Sequence, residues 1–578
     1  MAEPVTIEAD VAVVGAGPAG IVVALELARA EQSVVLLESG GEDFDTEIQQ
    51  LGDTLDGDPH HVEMSLTTRR QVGGASNLWG GRCVPFDPVD FEPRPIADEA
   101  RWPVGYEELS RYLPRACEWC RCGEAVFDAG DLPELAGRAI VPGFVDGELR
   151  ASELERWSLP TNFGRLYRGA LKRAPSLRLE TGLTCTEIVP RADPSRAGGW
   201  SVERLLARRG GEPVTVRAKR YVIAAGGLES TRLLFASDRL HPGGIGNHAG
   251  HLGRWYMAHV EARVARVRFT TPPDRTIFDH ERDADGVYVR RRFTLAPRVQ
   301  LEERLPNVAL WLVNPTIGDP SHGSGILSFV YLMLVSPLGR HFVAEGIRRE
   351  HTKTERPASI RAHLRNVARD LGPATAFAAS FGYRRFVRRG RKAPGFFVRS
   401  SANVYPLLYH AEHLPHRQSF VEPSDERDAL GMPRLRTHLH FSEEDVGNVR
   451  RVHEVLDRSL RAQGLGSVEF VCEDVEQAVR GRLFGGFHQA GTTRMSALPE
   501  DGVVDGNLAV HGFDDLFVAS SSTFPTSGQA NSTLMLIAFA VRLADRLSGE
   551  LRAGALVVSE PAARRKATSP PFARGSRA

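Results

Sequence analysis

The run Asp10-Val-Ala-Val-Val-Gly-Ala-Gly-Pro-Ala-Gly20 decides the fold. Its first five residues read as a β-strand, and the apolar spacing from Ile21 to Ala30 predicts a helix directly after the glycines. Ser33-Val-Val-Leu-Leu-Glu38 predicts a second strand. Strand, glycine turn, helix and strand in that order make a parallel βαβ unit. Gly15 permits the tight turn, Gly17 lets the backbone approach a phosphate, and Gly20 allows the helix to pack closely. The helix N-terminus then faces an anion. Glu38 ends the second strand 18 residues after Gly20, placed to accept hydrogen bonds from ribose hydroxyls. A dinucleotide site follows. Glu38 would repel a 2′-phosphate, which argues against NADP but does not separate NAD from FAD.

The chain has 578 residues, too many for one compact core, so two domains or one elaborated domain are expected. Apolar residues make up 42% and charged residues 25%, which excludes a disordered or fibrous protein. Basic and acidic residues number 72 each, so no global basic field exists to hold nucleic acid. Five of the basic residues are Lys and the rest Arg, a bias that weakens any single Arg run as the mark of a partner. Six cysteines are too few for a disulfide scaffold. The N-terminus lacks the basic start and apolar run of a targeting signal. The longest apolar stretches, near Ile326–Val335 and Leu534–Val541, fall short of the roughly 20 residues that span a bilayer. A cytoplasmic location without a membrane span is expected; oligomeric state stays open.

Further along lies a second glycine-rich loop, Val72-Gly-Gly-Ala-Ser-Asn-Leu-Trp-Gly-Gly81. Tyr106 to Trp119 reads as a surface helix. Short β-type runs from Arg178 to Ile223 predict a small antiparallel sheet. The zone from about 255 to 480 is compositionally separate. It holds strand-like runs at Arg263–Thr270 and Val287–Thr294 and an Arg-rich helical stretch from Arg340 to Arg399. There too Ser442-Glu-Glu-Asp445 forms a capping box, opening a helix with Val446, Val449, Val452 and Leu456 in one stripe. Leu516–Ala519 reads as a strand and Asn531–Leu547 as a buried helix. Composition beyond Glu560 predicts a disordered tail.

These segments carry a resemblance. Gly15–Gly20 with Glu38, Val72–Gly81, Ala224-Ala-Gly-Gly-Leu-Glu-Ser230, His488-Gln-Ala-Gly-Thr-Thr-Arg-Met495 and Asn531-Ser-Thr-Leu534 occur here in the order found in the glucose–methanol–choline (GMC) family of FAD oxidoreductases. The resemblance runs from the N-terminus to about residue 550. It implies an α/β fold: a Rossmann-type FAD-binding domain built from discontinuous segments, with an inserted α+β substrate domain of antiparallel sheet plus helices. The expected divisions are 1–105 and 165–258 for the FAD domain, 106–164 for a substrate-side insertion, and 259–480 for the substrate domain. Residues 481–552 then form the catalytic C-terminal segment and 553–578 a disordered tail. The resemblance also implies FAD contacts at Gly73, Gly74, Asn77, Gly80, Cys185, Ala225, Gly226, Ser520, Ser532 and Thr533. Relatives that bind FAD covalently use a His where this chain has Leu78, so the flavin is expected to be non-covalent. Ser520 departs from the Asp that many relatives carry.

The chemistry of alcohol oxidation gives the C-terminal motifs their meaning. When a flavin takes hydride at N5 from a CH–OH carbon, some group must accept the hydroxyl proton. A neutral imidazole suits that task near pH 7. The family pairs a His with a second His or an Asn, and here these are His488 and Asn531. Asn cannot act as a base, so His488 is expected to take the proton while Asn531 holds the oxygen. The helix starting near Ser532 would direct its positive end at the pyrimidine edge of the flavin, an effect on the order of 1 kcal/mol. The motif wording is closest to the pyranose-, fructose- and gluconate-oxidising branch, which favours a sugar, glycoside or polyol. A steroid, an aryl alcohol or a natural-product intermediate, a cyanohydrin lyase and a passive flavin carrier remain alternatives. Oxygen, a quinone or another acceptor could reoxidise the flavin.

No metal site is expected. Cys117-x-x-Cys120-x-Cys122 lacks a fourth ligand at clear spacing downstream, and reads as structural thiols. His438 and His440 form only a lone pair. Arg384-Arg-Phe-Val-Arg-Arg-Gly-Arg-Lys392 could touch an anionic partner or a membrane surface, but given the Arg bias it reads first as a solvated face.

Overall fold

A computed structural model describes residues 5–559 except 56, 197, 338, 340–347, 349–351 and 353–358. The βαβ unit forms as expected. Strand β1 (Val5–Val14) leads through the glycine turn into helix α1 (Pro18–Arg29), which returns to strand β2 (Val34–Leu37). β1 and β2 pair in parallel from Val11 opposite Val34 to Val14 opposite Leu37. The expected start of the helix at Ile21 lies three residues late, because Pro18 occupies the first turn, where its missing N–H costs nothing.

The sheet continues with strands β3 (Leu177–Glu180), β4 (Thr184–Ala192), β5 (Trp200–Arg209) and β6 (Glu212–Ile223), then helix α2 (Gly227–Ala236). Near the C-terminus strand β7 (Leu516–Val518) and helix α3 (Thr533–Ser559) complete it. The spatial order is β3-β2-β1-β6-β5-β4, with β7 also pairing β6. The small antiparallel sheet expected over 178–223 forms, as one side of this larger sheet. β6 is long enough to pair in parallel with β1 along Val214–Ile223, while its Glu212–Val216 end pairs antiparallel with β5 and its Tyr221–Ile223 end takes β7.

The remaining chain adds a seven-stranded antiparallel sheet. Its central strand Val404–Glu412 lies between Val308–Leu312 on one side and His259–Ala262 with Ala265–Phe269 on the other. Helix Glu443–Ala462 covers one face, and Val449, Val452 and Leu456 are buried there beside Leu310 and Leu407. Ser442 and Asp445 make the expected capping box. A second large core surrounds β1, β6, α1 and α3. Two large cores accord with a chain too long for one.

Several local expectations change. Tyr106–Trp119 is two helices, Tyr106–Ser110 and Leu113–Cys120, and the second buries Leu113, Ala116 and Trp119 rather than lying on the surface. Val287–Thr294 splits into Tyr288–Arg291 and Phe293–Leu295, which join different sheets. The Arg-rich stretch contains helices Ile360–Arg369 and Leu371–Gly382, whereas 388–400 carries no regular element and much of 340–358 lies outside the described residues. Helix α3 runs to Ser559, past the expected boundary at 552; the rest of the expected tail lies outside the described residues.

Candidate active site

A cavity of about 520 Å³ runs from the βαβ turn to the antiparallel sheet. Gly15, Gly17, Glu38, Gly74, Gly80, Cys185, Ala225 and Gly226 line one stretch of it; His488, Asn531, Ser532 and Thr533 line the other. The glycines leave room because side chains could not be there. A Cβ on Gly20 would lie 1.9 Å from the Gly15 carbonyl oxygen, and one on Gly74 would lie 2.8 Å from Gly17 Cα. Gly17 is the N-cap of α1 without a side-chain cap, so the first helical N–H groups stay available to an anion. Glu38 accepts from Ala16 N–H and Gly40 N–H, both at 2.9 Å, and so ties the turn to the end of β2. A carboxylate has about four acceptor sites, so capacity remains for ribose hydroxyls.

Four expected contacts are not on the cavity wall. Gly20 serves helix packing, as its Cβ clash shows. Gly73 packs against Gly164. Asn77 turns away: its amide donates to Val72 O (3.2 Å) and Gly74 O (2.8 Å), bracing the loop from behind. Ser520 caps the turn that follows it by accepting from Ser522 N–H, while its neighbours Ala519 and Ser521 reach the cavity. Cys185 does line the cavity, with a thiol that burial pushes up to about 12. Leu78 lines it too, and its side chain offers no atom for a flavin linkage.

The far end is built from strands distant in sequence. Met257 and Ala490 exchange backbone hydrogen bonds of 3.0 and 3.1 Å, which sets the loop residue His488 opposite His259. Glu261 pairs with His410 across the antiparallel sheet. The rings of His259 and His410 stack at 4.4 Å between centroids, and His488 stands edge-on to His259 at 4.8 Å. Asn531 lies two residues before α3, with its amide 2.7 Å from His488 Nε2. Arg82, on the short strand Arg82–Cys83 beside Leu154–Trp157, donates to Asn531 Oδ1 and, at 2.5 Å, to Glu155. Fully buried Glu155 also accepts from Arg290, and both guanidiniums lie over Trp311.

Donor and acceptor capacity fixes the protons along this chain. Arg82 can only donate, so Asn531 turns its oxygen to Arg82 and its NH2 to His488. That NH2 donates, so His488 Nε2 carries the lone pair and Nδ1 the proton. His488 Nδ1 is 3.0 Å from His259 Nδ1, which must therefore accept. The outcome is a neutral imidazole whose basic nitrogen shares the cavity with a carboxamide donor. Burial, and then the charge of Arg82, push His488 down to about 4. Burial lowers His259 and His410 well below the ordinary range as well. Among the described residues, His259, His410 and His488 have ring nitrogens within 4.8 Å of one another, the spacing of a potential metal site. The nearby Arg82 charge disfavours a cation there, and His488 already spends both nitrogens on hydrogen bonds.

Sequence reading did not find Arg82, Glu155, His259 or His410. Nor did it find the cysteine that joins Cys120 and Cys122: Cys83, upstream in sequence, meets them through their thiols. All six cysteines are unpaired.

Comparison with known proteins agrees with this architecture. The model of the GMC oxidoreductase C-terminal domain matches residues 415–540, and that of an FAD binding domain matches residues 10–44. The chain is 23% identical to 2-methyl-1,2-propanediol dehydrogenase of Mycolicibacterium austroafricanum, over 94% of this chain and 95% of that protein. It is likewise 23% identical to paromamine 6′-oxidase of Streptomyces fradiae, over 94% and 92%. Among solved structures, a formate oxidase of Aspergillus oryzae shares the fold with a TM-score of 0.52 at 15% identity, covering 96% of this chain and all of that one. The chain thus carries an FAD-binding domain and a GMC oxidoreductase C-terminal domain, and over nearly its whole length it resembles oxidoreductases of that family.

Proposed function

We propose that the protein oxidises a CH–OH group of a sugar, glycoside or polyol to a carbonyl, with His488 as base and Asn531 holding the substrate oxygen. One observation carries the reading: on the cavity wall the Asn531 NH2 donates to the His488 Nε2 lone pair at 2.7 Å, a bond that a substrate hydroxyl replaces by accepting from Asn531 and donating to His488. Bound along the cavity, FAD supplies the acceptor for the hydride leaving the alcohol carbon. His488 Nε2 takes the hydroxyl proton, and the resulting imidazolium donates through Nδ1 to His259. Asn531 Nδ2 donates to the oxygen throughout, as alcohol and as carbonyl. Since Arg82 holds the carboxamide, that oxygen always meets a donor. The flavin is held non-covalently, since Leu78 stands where a linking His would be needed. A diol and an aminoglycoside, named for the two relatives, support a substrate with several hydroxyls. Unpaired cysteines accord with a reducing cytoplasm.

Anaerobic mixing of the yellow holoprotein with a panel of polyols, sugars and simple alcohols tests this. A polyol or sugar should bleach the flavin, and a carbonyl product should appear. Bleaching by aryl alcohols or steroids alone would overturn the substrate class. No bleaching with any donor would leave a lyase or a passive carrier. Acid precipitation should release all of the flavin into the supernatant; flavin retained in the pellet would contradict non-covalent binding.

A further inference from the structure

The chain as a whole is electrically neutral, yet residues 359–399 hold ten Arg and Lys against a single acid, Asp370. The same region is also unusually apolar on its outside. Of the large hydrophobic side chains exposed among the described residues, a cluster falls here: Ile360 (56% exposed), Leu364 (54%), Leu371 (58%), Tyr383 (57%), Phe386 (55%) and Val387 (67%).

Helix Ile360–Arg369 shows how the region is oriented. Its inward residues are polar: His363 bonds to Ser328, and Asn366 donates to Pro320 O and Ser328. Ile360 and Leu364, one turn apart, face outward instead. That is the reverse of a helix packed on a core, where the apolar stripe turns inward. Helix Leu371–Gly382 is rich in Ala and Phe, yet only Ala374 is buried. Arg361, Arg365, Arg369 and Arg389 are exposed around the apolar residues. None of the described helices is long and apolar enough to cross a membrane, so this surface can only lie against one. An outward apolar face rimmed by arginines is the composition of an interfacial helix on anionic lipid.

We propose that the face formed by residues 360–389 docks on an anionic lipid surface, its apolar side chains entering the headgroup boundary and its arginines meeting lipid phosphates. The face is joined to the catalytic wall. Phe397, just beyond it, packs with Trp311, the residue beneath Arg82.

Co-sedimentation of the full-length holoprotein with vesicles tests the proposal. One set is phosphatidylcholine alone; the other contains one third phosphatidylglycerol. Binding should be at least tenfold tighter to the anionic vesicles and should weaken in high salt. The double variant Leu364→Asp with Val387→Asp, and separately Arg388→Glu with Arg389→Glu, should each lose at least tenfold in binding. Both should keep flavin absorbance and donor-dependent bleaching. Leu240→Asp, at an exposed apolar position on the other domain, should bind like wild type. Absence of vesicle binding would overturn the proposal, as would binding indifferent to both double variants. Oligomers that the Leu364→Asp, Val387→Asp variant dissolves, without any vesicle binding, would instead make this face a protein interface and overturn it too.

Discussion

His488 carries its proton on Nδ1 because a residue two partners away, Arg82, has no acceptor to offer. That argument predicts an order of variants. Asn531→Ala removes the donor, but Asn531→Asp replaces it with a group that can only accept, which forces a proton onto His488 Nε2 and abolishes the base. Single-turnover flavin reduction should be at least tenfold slower in Asn531→Asp than in Asn531→Ala; the reverse order would contradict the proton assignment. The pH dependence follows from the same geometry. His488 sits at about 4, lowered first by burial and then by Arg82. The neutral base therefore persists as pH falls, and reduction should decline near pH 4 rather than near the ordinary 6.5. Arg82→Gln should move that limb upward. A wild-type limb at 6.5 would show an imidazole in open solvent. His488 and Asn531 were legible in sequence because each sits inside a recognisable string. Arg82, Glu155, His259 and His410 were not, since their partnership exists only after four distant segments pair. The one local hint was the pair of fully buried charges in Leu-Glu-Arg-Trp157.

At the scale of elements, the glycine turn and the capping box behave as local rules require, and both were read correctly. Ala at Gly20 would place a methyl carbon 1.9 Å from the Gly15 carbonyl, so α1 must move off β1. Gly20→Ala should lose several degrees of Tm and lose bound FAD. Gly447, in the second turn of helix Glu443–Ala462, has open space around its missing Cβ. Gly447→Ala should therefore stabilise, by roughly 0.5–1 kcal/mol in denaturant titration. Ser442→Ala, which removes the N-cap, should cost about 1 kcal/mol. Element identity was less legible where pairing overrides local pattern. One β-type run at 287–294 feeds two sheets because Arg292 interrupts it, its side chain turned to Gln529 and Glu153. β6 merges an antiparallel meander into a parallel sheet, which no local periodicity announces.

At the scale of the molecule, two cores share one cavity, and neutral histidines are buried both at the cavity and in the core of the antiparallel sheet. His259, His410, His413, His453 and His488 are all lowered by burial, His453 to about 4. In the folded state each binds its proton only below the pH at which the unfolded chain does. Unfolding therefore takes up protons between pH 6.5 and 4, and stability falls as pH drops through that window. Each such histidine contributes up to about 1.4 kcal/mol per pH unit. Asp90 and Asp515, raised by burial to about 7 and about 6, act in the opposite sense but are outnumbered. Thermal melts should show Tm falling steadily from pH 6.5 to 4; a flat or rising profile would mean that the histidines are solvated. The outward apolar face was not legible in the sequence, because only the structure shows which side of helix Ile360–Arg369 meets the protein.

The central claim is that one imidazole takes the substrate proton, and the rate of anaerobic flavin reduction in His488→Ala tests it most directly. With a donor that bleaches the wild type and with flavin content matched, the account predicts a fall of at least ~10². A loss of less than tenfold would remove His488 from the role of base.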